Sequence, residues 1–131
     1  MTPWYILSLV TLLVLLVYFV LGIKVGFARG RFKIAAPAMT GHAEFERYVR
    51  VHYNTLEALV FFLPSMWFFA YFVDVSWASV LGVVWSLGRV VYALGYYKAA
   101  DKRHLGTGLT NLPTVVAFVG AVIALVMKLA S

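Results

Sequence analysis

The chain alternates long apolar stretches with short polar ones. The first apolar run, from Trp4 to Ile23, meets no charge until Lys24. About 20 helical residues cross a hydrocarbon core of about 30 Å, so a spanning helix is predicted over residues 3–26. A cleavable leader would place basic residues ahead of a shorter apolar core. Met1-Thr2-Pro3-Trp4 supplies none, and the run reads as a retained span. A basic, polar stretch from Arg29 to Glu46 follows, broken by Pro37 and Gly41. A second helix is predicted over 45–72, polar in its first half and apolar and aromatic in its second, with Pro64 expected to kink it. After a turn at Asp74, a third helix is predicted over 76–103, apolar to Arg89 and more aromatic and basic beyond. Gly106 and Gly108 read as a loose connection before a fourth helix over 111–130. Pro113 would then stand in that helix's first turn, where a missing N–H costs least.

Composition supports the spanning reading. Hydrophobic residues make up 63% of the 131 positions and charged residues 12%. Soluble domains hold about 45–50% apolar and about 25% charged residues, and so short a chain could not hide this apolar excess from water. The expected fold is all-α, an integral membrane four-helix bundle. The net charge of +6 does not point to nucleic acid, because the cations gather between the apolar runs. Lys and Arg crowd the first and third connections and are absent from the one at Asp74. The positive-inside rule places the two basic connections in the cytoplasm and both termini outside. There is no cysteine, hence no disulfide, thiolate metal site or protein thiol nucleophile. The three histidines lack zinc-ligand spacing, so no metal is expected.

The informative residues are charges where a membrane helix should have none, because each costs roughly 2.5–3.5 kcal/mol near the bilayer centre. Arg47, Arg50, Asn54 and Glu57 share one face of the second helix. Arg89, Tyr92, Tyr96 and Arg103 share a face of the third if that helix continues to Arg103. A structural network is one reading, with Arg50 and Glu57 paired to each other or to Arg89. Arg47, Lys98 and Lys102 fit interfacial anchors. The set Arg50, Asn54, Glu57, Tyr92, Tyr96 and Arg103 holds more than one ion pair needs. It describes a pocket for a mainly anionic ligand that also carries one cationic group.

At these residues the chain resembles a known family. The segment from Phe45 to Glu57, with Glu46-Arg47, Arg50, Asn54 and Glu57, is similar to a signature of the membrane-associated proteins in eicosanoid and glutathione metabolism (MAPEG). A second block, Arg89-Val90-Val91-Tyr92 with Gly95-Tyr96 and Arg103, resembles the branch containing leukotriene-C synthase and microsomal glutathione transferases 2 and 3. The resemblance implies a homotrimer binding glutathione, as co-substrate, between neighbouring subunits. It implies that Arg50, Asn54 and Glu57 hold the tripeptide's carboxylates and amino group, with Tyr92 and Tyr96 nearby. Arg29 matches a further ligand-binding arginine, and His52 stands where a glutamine is often found. Arg103 matches the arginine that holds the thiol as thiolate, a role physically sound for a permanently charged guanidinium. Ala58 departs from a family tyrosine. The expected activity is conjugation of glutathione to hydrophobic electrophiles, with reduction of lipid hydroperoxides a second use of the same thiolate. A non-catalytic lipid-binding or scaffold protein of the same fold is the alternative. An exporter is disfavoured, since Glu57 is the one intramembrane carboxylate and it lies among arginines.

Overall fold

The computed structural model describes residues 1–131. Four long helices form the protein: α1 (Thr2–Phe32), α2 (Ala43–Phe72), α3 (Val75–Lys98) and α4 (His104–Ala130), with a short 3-10 turn at Ala100–Arg103. Each of the four is long and apolar enough to cross a membrane. α1, at 31 residues, is about 46 Å long. That exceeds a hydrocarbon core of about 30 Å, so its final turns, with Arg29 and Arg31, extend past the apolar layer.

Local chemistry sets the ends. Lys33 adopts the left-handed conformation (φ 58°) after α1, and its N–H and that of Ile34 close on the Arg29 carbonyl. His42 caps α2 by accepting the Glu44 N–H at Nδ1, 3.1 Å, and Glu44 and Glu46 complement the positive end of the helix dipole. Asp74 caps α3 by accepting the Trp77 N–H at 2.8 Å. α2 and α3 are thereby joined through Val73 and Asp74 alone.

Three predicted boundaries are corrected. The first helix runs to Phe32 rather than 26, since nothing in the polar turns after Lys24 breaks it until Lys33 turns left-handed. The third stops at Lys98 rather than 103, where Ala99 turns extended (φ −164°, ψ 143°). The fourth starts at His104 rather than 111, so Pro113 lies well inside it and not in its first turn. Gly106 is therefore helical. It serves close packing rather than looseness, since a Cβ there would strike the backbone of Tyr92 on α3. Small residues that let backbones approach are the usual means of packing membrane helices. The second helix begins at Ala43, two residues before the predicted 45, and continues through Pro64.

The main core lies toward the Asp74 end, where Leu7, Val14, Phe62, Met66, Trp85 and Ala117 pack together and Phe62 stacks on Trp85 at 5.2 Å. At the other end, Arg47 Nε donates to the Tyr97 carbonyl at 3.1 Å, tying the start of α2 to the end of α3. Both basic connections therefore lie at one end of the bundle.

Candidate functional site

The contacts of α2, α3 and the 3-10 turn assemble four of the predicted site residues. Asn54 Nδ2 donates to the Tyr92 hydroxyl at 2.7 Å. Tyr96 follows one turn along α3, its ring centroid 5.6 Å from that of Tyr92. The Arg103 guanidinium lies over the Tyr96 ring, 5.8 Å from its centroid, and donates to the Ala100 carbonyl. Arg103 reaches this place by a route other than the one expected. It is not on the α3 face; the break at Ala99 folds the turn back against α3. Gly95 permits that fold, since a Cβ there would strike the Lys102 carbonyl.

Arg50 and Glu57 project from the same side of α2, within about 20° of each other and about 40–60° from Asn54 at 100° per residue. Both are exposed. Glu57 is 15 residues from the apolar end of α2, or about 22 Å, which is inside a hydrocarbon layer of about 30 Å. The one ion pair in the chain joins Arg31 to Glu44 at 3.4 Å. Arg50 and Glu57 pair neither with each other nor with Arg89, and the structural-network reading fails for them.

Arg29 and His52 stand apart from this group. His52 points about 200° around α2 from Asn54 and stacks on Tyr18 of α1, centroids 4.6 Å apart. With Arg29 it lines a groove of about 310 Å³ between α1 and α2. Arg29 donates there to the Ala38 carbonyl at 2.7 Å and lies 5.2 Å from the centroid of the Phe45 ring. Within the chain the predicted residues thus form two groups facing different ways.

Arg89 was placed on the tyrosine stripe but given no role in the site. It is buried, donates from Nε to Thr55 Oγ1 at 2.9 Å and from a terminal nitrogen to Thr110 Oγ1 at 3.4 Å, and lies 4.0 Å from the Tyr92 ring centroid. It underpins the tyrosine that bonds Asn54. Thr55 and Thr110 were the available signal, but the register of α4 against α3 could not be read from them. No three His, Asp or Glu side chains come together as a metal-ligand set.

An all-helical protein with four membrane-crossing helices and a line of phenols and guanidinium groups at their basic end is the class that the fold and site define. The chain matches the MAPEG family over residues 7–123 and belongs to it. It is an integral, multi-pass membrane protein. It is 48% identical over 122 residues to the uncharacterized protein sll1147 of Synechocystis, covering 93% of this chain and 89% of that one. Human microsomal glutathione S-transferase 2 is 36% identical over 107 residues, 79% of this chain and 71% of the relative. Leukotriene C4 synthase of Bos taurus is 34% identical over 98 residues, 75% and 65% of the two chains.

Proposed function

We propose that the protein is a membrane glutathione transferase. The observation that carries this reading is the line Asn54–Tyr92–Tyr96–Arg103, bordered on the same side by Arg50 and Glu57. Glutathione presents two carboxylates, one ammonium group and a thiol. Arg50 supplies a cation for a carboxylate, Glu57 an anion for the ammonium group, and Asn54 and Tyr92 hydrogen-bonding groups between them. Arg103 favours the thiolate, which is the nucleophile. The thiol proton leaves to water, the sulfur forms a bond to the electrophilic carbon, and the leaving group departs with its electron pair. An apolar electrophile reaches the sulfur from the bilayer. A lipid hydroperoxide is a second substrate for the same thiolate. The sulfur takes its terminal oxygen as the O–O bond breaks and the alcohol leaves, and a second glutathione converts the sulfenic acid to the disulfide and water.

The two-way facing of the site residues supports assembly with further copies, as a homotrimer. Arg29 and His52 of one subunit then complete the pocket opened by Arg50, Asn54, Glu57, Tyr92, Tyr96 and Arg103 of the next. The basic connections face the cytoplasm, where glutathione is supplied.

Purified in detergent, the wild type should conjugate glutathione to an aryl halide, and Arg103→Ala should not. Absence of turnover with aryl halides and hydroperoxides, despite tight glutathione binding, would overturn the enzymatic reading. Arg29→Ala and Arg103→Ala subunits, each nearly inactive alone, should regain activity when coexpressed, because mixed oligomers contain some sites with both arginines. Without regained activity in verified mixed oligomers, the shared-site arrangement fails.

A further inference from the structure

We propose that the outer groove between α1 and α3, with the polar cleft that continues it, is a binding site for an anionic membrane phospholipid. The groove encloses about 270 Å³. Its walls are aliphatic, with Leu16 and Val20 on α1 facing Val90 and Leu94 on α3, and it ends at Lys24 and Tyr97. From Leu16 to Lys24 it follows α1 for about 12 Å, a slot suited to an acyl chain.

The chemistry changes at Lys24. That residue also lines a smaller cleft of about 130 Å³ with Arg31 and Tyr48. Tyr48 and Tyr97 stack at 4.0 Å and form the seam between the two spaces. The Tyr97 hydroxyl behind this seam is buried with no hydrogen-bond partner in the chain. Lys24 has no carboxylate within ion-pair distance, while Arg31 is held by Glu44 with its side chain still 63% exposed. An acyl chain in the slot therefore brings its phosphate to the Lys24 ammonium and the Arg31 guanidinium of the cleft. Lys24 leaves the site net positive even with Arg31 held by Glu44, which favours a headgroup with net negative charge over one whose own quaternary ammonium would approach the lysine. None of these side chains belongs to the proposed glutathione pocket.

The test is native mass spectrometry of the detergent-purified full chain, titrated with phosphatidylglycerol and phosphatidylcholine of identical acyl chains. The wild type should retain phosphatidylglycerol preferentially. Lys24→Gln should lower that retention about fivefold, the effect of one surface cation on an anionic lipid, and leave phosphatidylcholine unchanged. Val90→Trp fills the slot and should remove both lipids, with Leu94→Trp as a second variant if the first does not fold. Lys33→Gln, a cation at the same end of α1 but outside the groove, should behave as wild type. Equal phosphatidylglycerol retention by Lys24→Gln and wild type, or an equal loss in Lys33→Gln, overturns the proposal. So does displacement of the lipid by chainless glycerol phosphate, which would mean a free-phosphate site. A change of oligomer mass in Val90→Trp with lipid retention unaltered overturns it too, by assigning the groove to a second copy of the chain.

Discussion

Two polar regions meet at Tyr92 in this bundle, and they treat their charges in opposite ways. At the junction of α2, α3 and α4, Arg89 is closed in by Thr55, Thr110 and the Tyr92 ring. The two threonines also bond their own helices, Thr55 to the Val51 carbonyl at 2.7 Å and Thr110 to that of Gly106 at 3.0 Å. On another side of α2, Arg50 and Glu57 lie exposed with no ion-pair partner, and Arg103 lies over the Tyr96 ring from its turn. A closed network stabilises a fold and has little capacity left for a ligand. An open one in a membrane helix is costly, and its retention is best explained by something that binds there. The same residue type thus serves structure at Arg89 and, in the proposed function, chemistry at Arg50 and Arg103.

The largest expected contrast lies between the arginines themselves. Arg103→Ala should lower turnover about 10²–10³-fold, the usual loss when a group stabilising reactive charge is removed, while the unfolding temperature in detergent stays near that of wild type. Its pH–rate profile should shift upward toward the free-thiol range near 8.5, because the thiolate fraction then rises only as pH rises. Arg89→Ala should do the reverse in kind, lowering stability by about 2 kcal/mol or more through the cavity it leaves. Arg89→Met, which fills most of that volume, should recover part of the loss. If Arg103→Ala proves to be the unfolding variant, the division between closed and open networks is wrong.

Next in size is Arg50→Gln. A charge-assisted hydrogen bond contributes about 1.5–3 kcal/mol, so the glutathione KM should rise by an order of magnitude or more. The ligand-free unfolding temperature should not move, since Arg50 contacts no carboxylate in the chain. A large fall in stability would transfer Arg50 to the structural class.

Much of this was legible in the chain, for identifiable reasons. Four spans follow from apolar length, and the α2 stripe follows from a helical repeat that the helix keeps throughout. The α3 stripe was legible only as far as Tyr96. Whether Arg103 joined it depended on the helix continuing, and Ala99 ends it by a backbone turn that no nearby proline announces. Arg103 still reaches Tyr96 because Gly95 leaves room for Lys102. Gly106 was misread for a related reason. A glycine reads as loose when its neighbours are unknown, and only the backbone of Tyr92 across the interface shows that it is packed.

That packing yields the third prediction. Gly106→Ala places a methyl group against the α3 backbone and should cost about 1–3 kcal/mol by overpacking, read as a lower unfolding temperature. Activity should fall further than stability alone accounts for, because the displaced residue is Tyr92. Gly108, with open space around its would-be Cβ, should accept alanine without either effect.

The smallest effect probes the seam where the two regions meet. Tyr92 receives Arg89 on its ring and Asn54 on its hydroxyl. Tyr92→Phe keeps the first contact and removes the second, a change worth about 0.5–1.5 kcal/mol. Stability should stay close to wild type, because Asn54 is only half-buried and water can replace the lost partner. Glutathione affinity should weaken a few-fold, as Asn54 loses the bond that orients it. Asn54→Ala should weaken it by at least as much, and the double variant should fall short of the sum of the two. If the two losses instead add in full, Asn54 and Tyr92 act on the ligand independently, and the closed network does not reach into the open one through this bond.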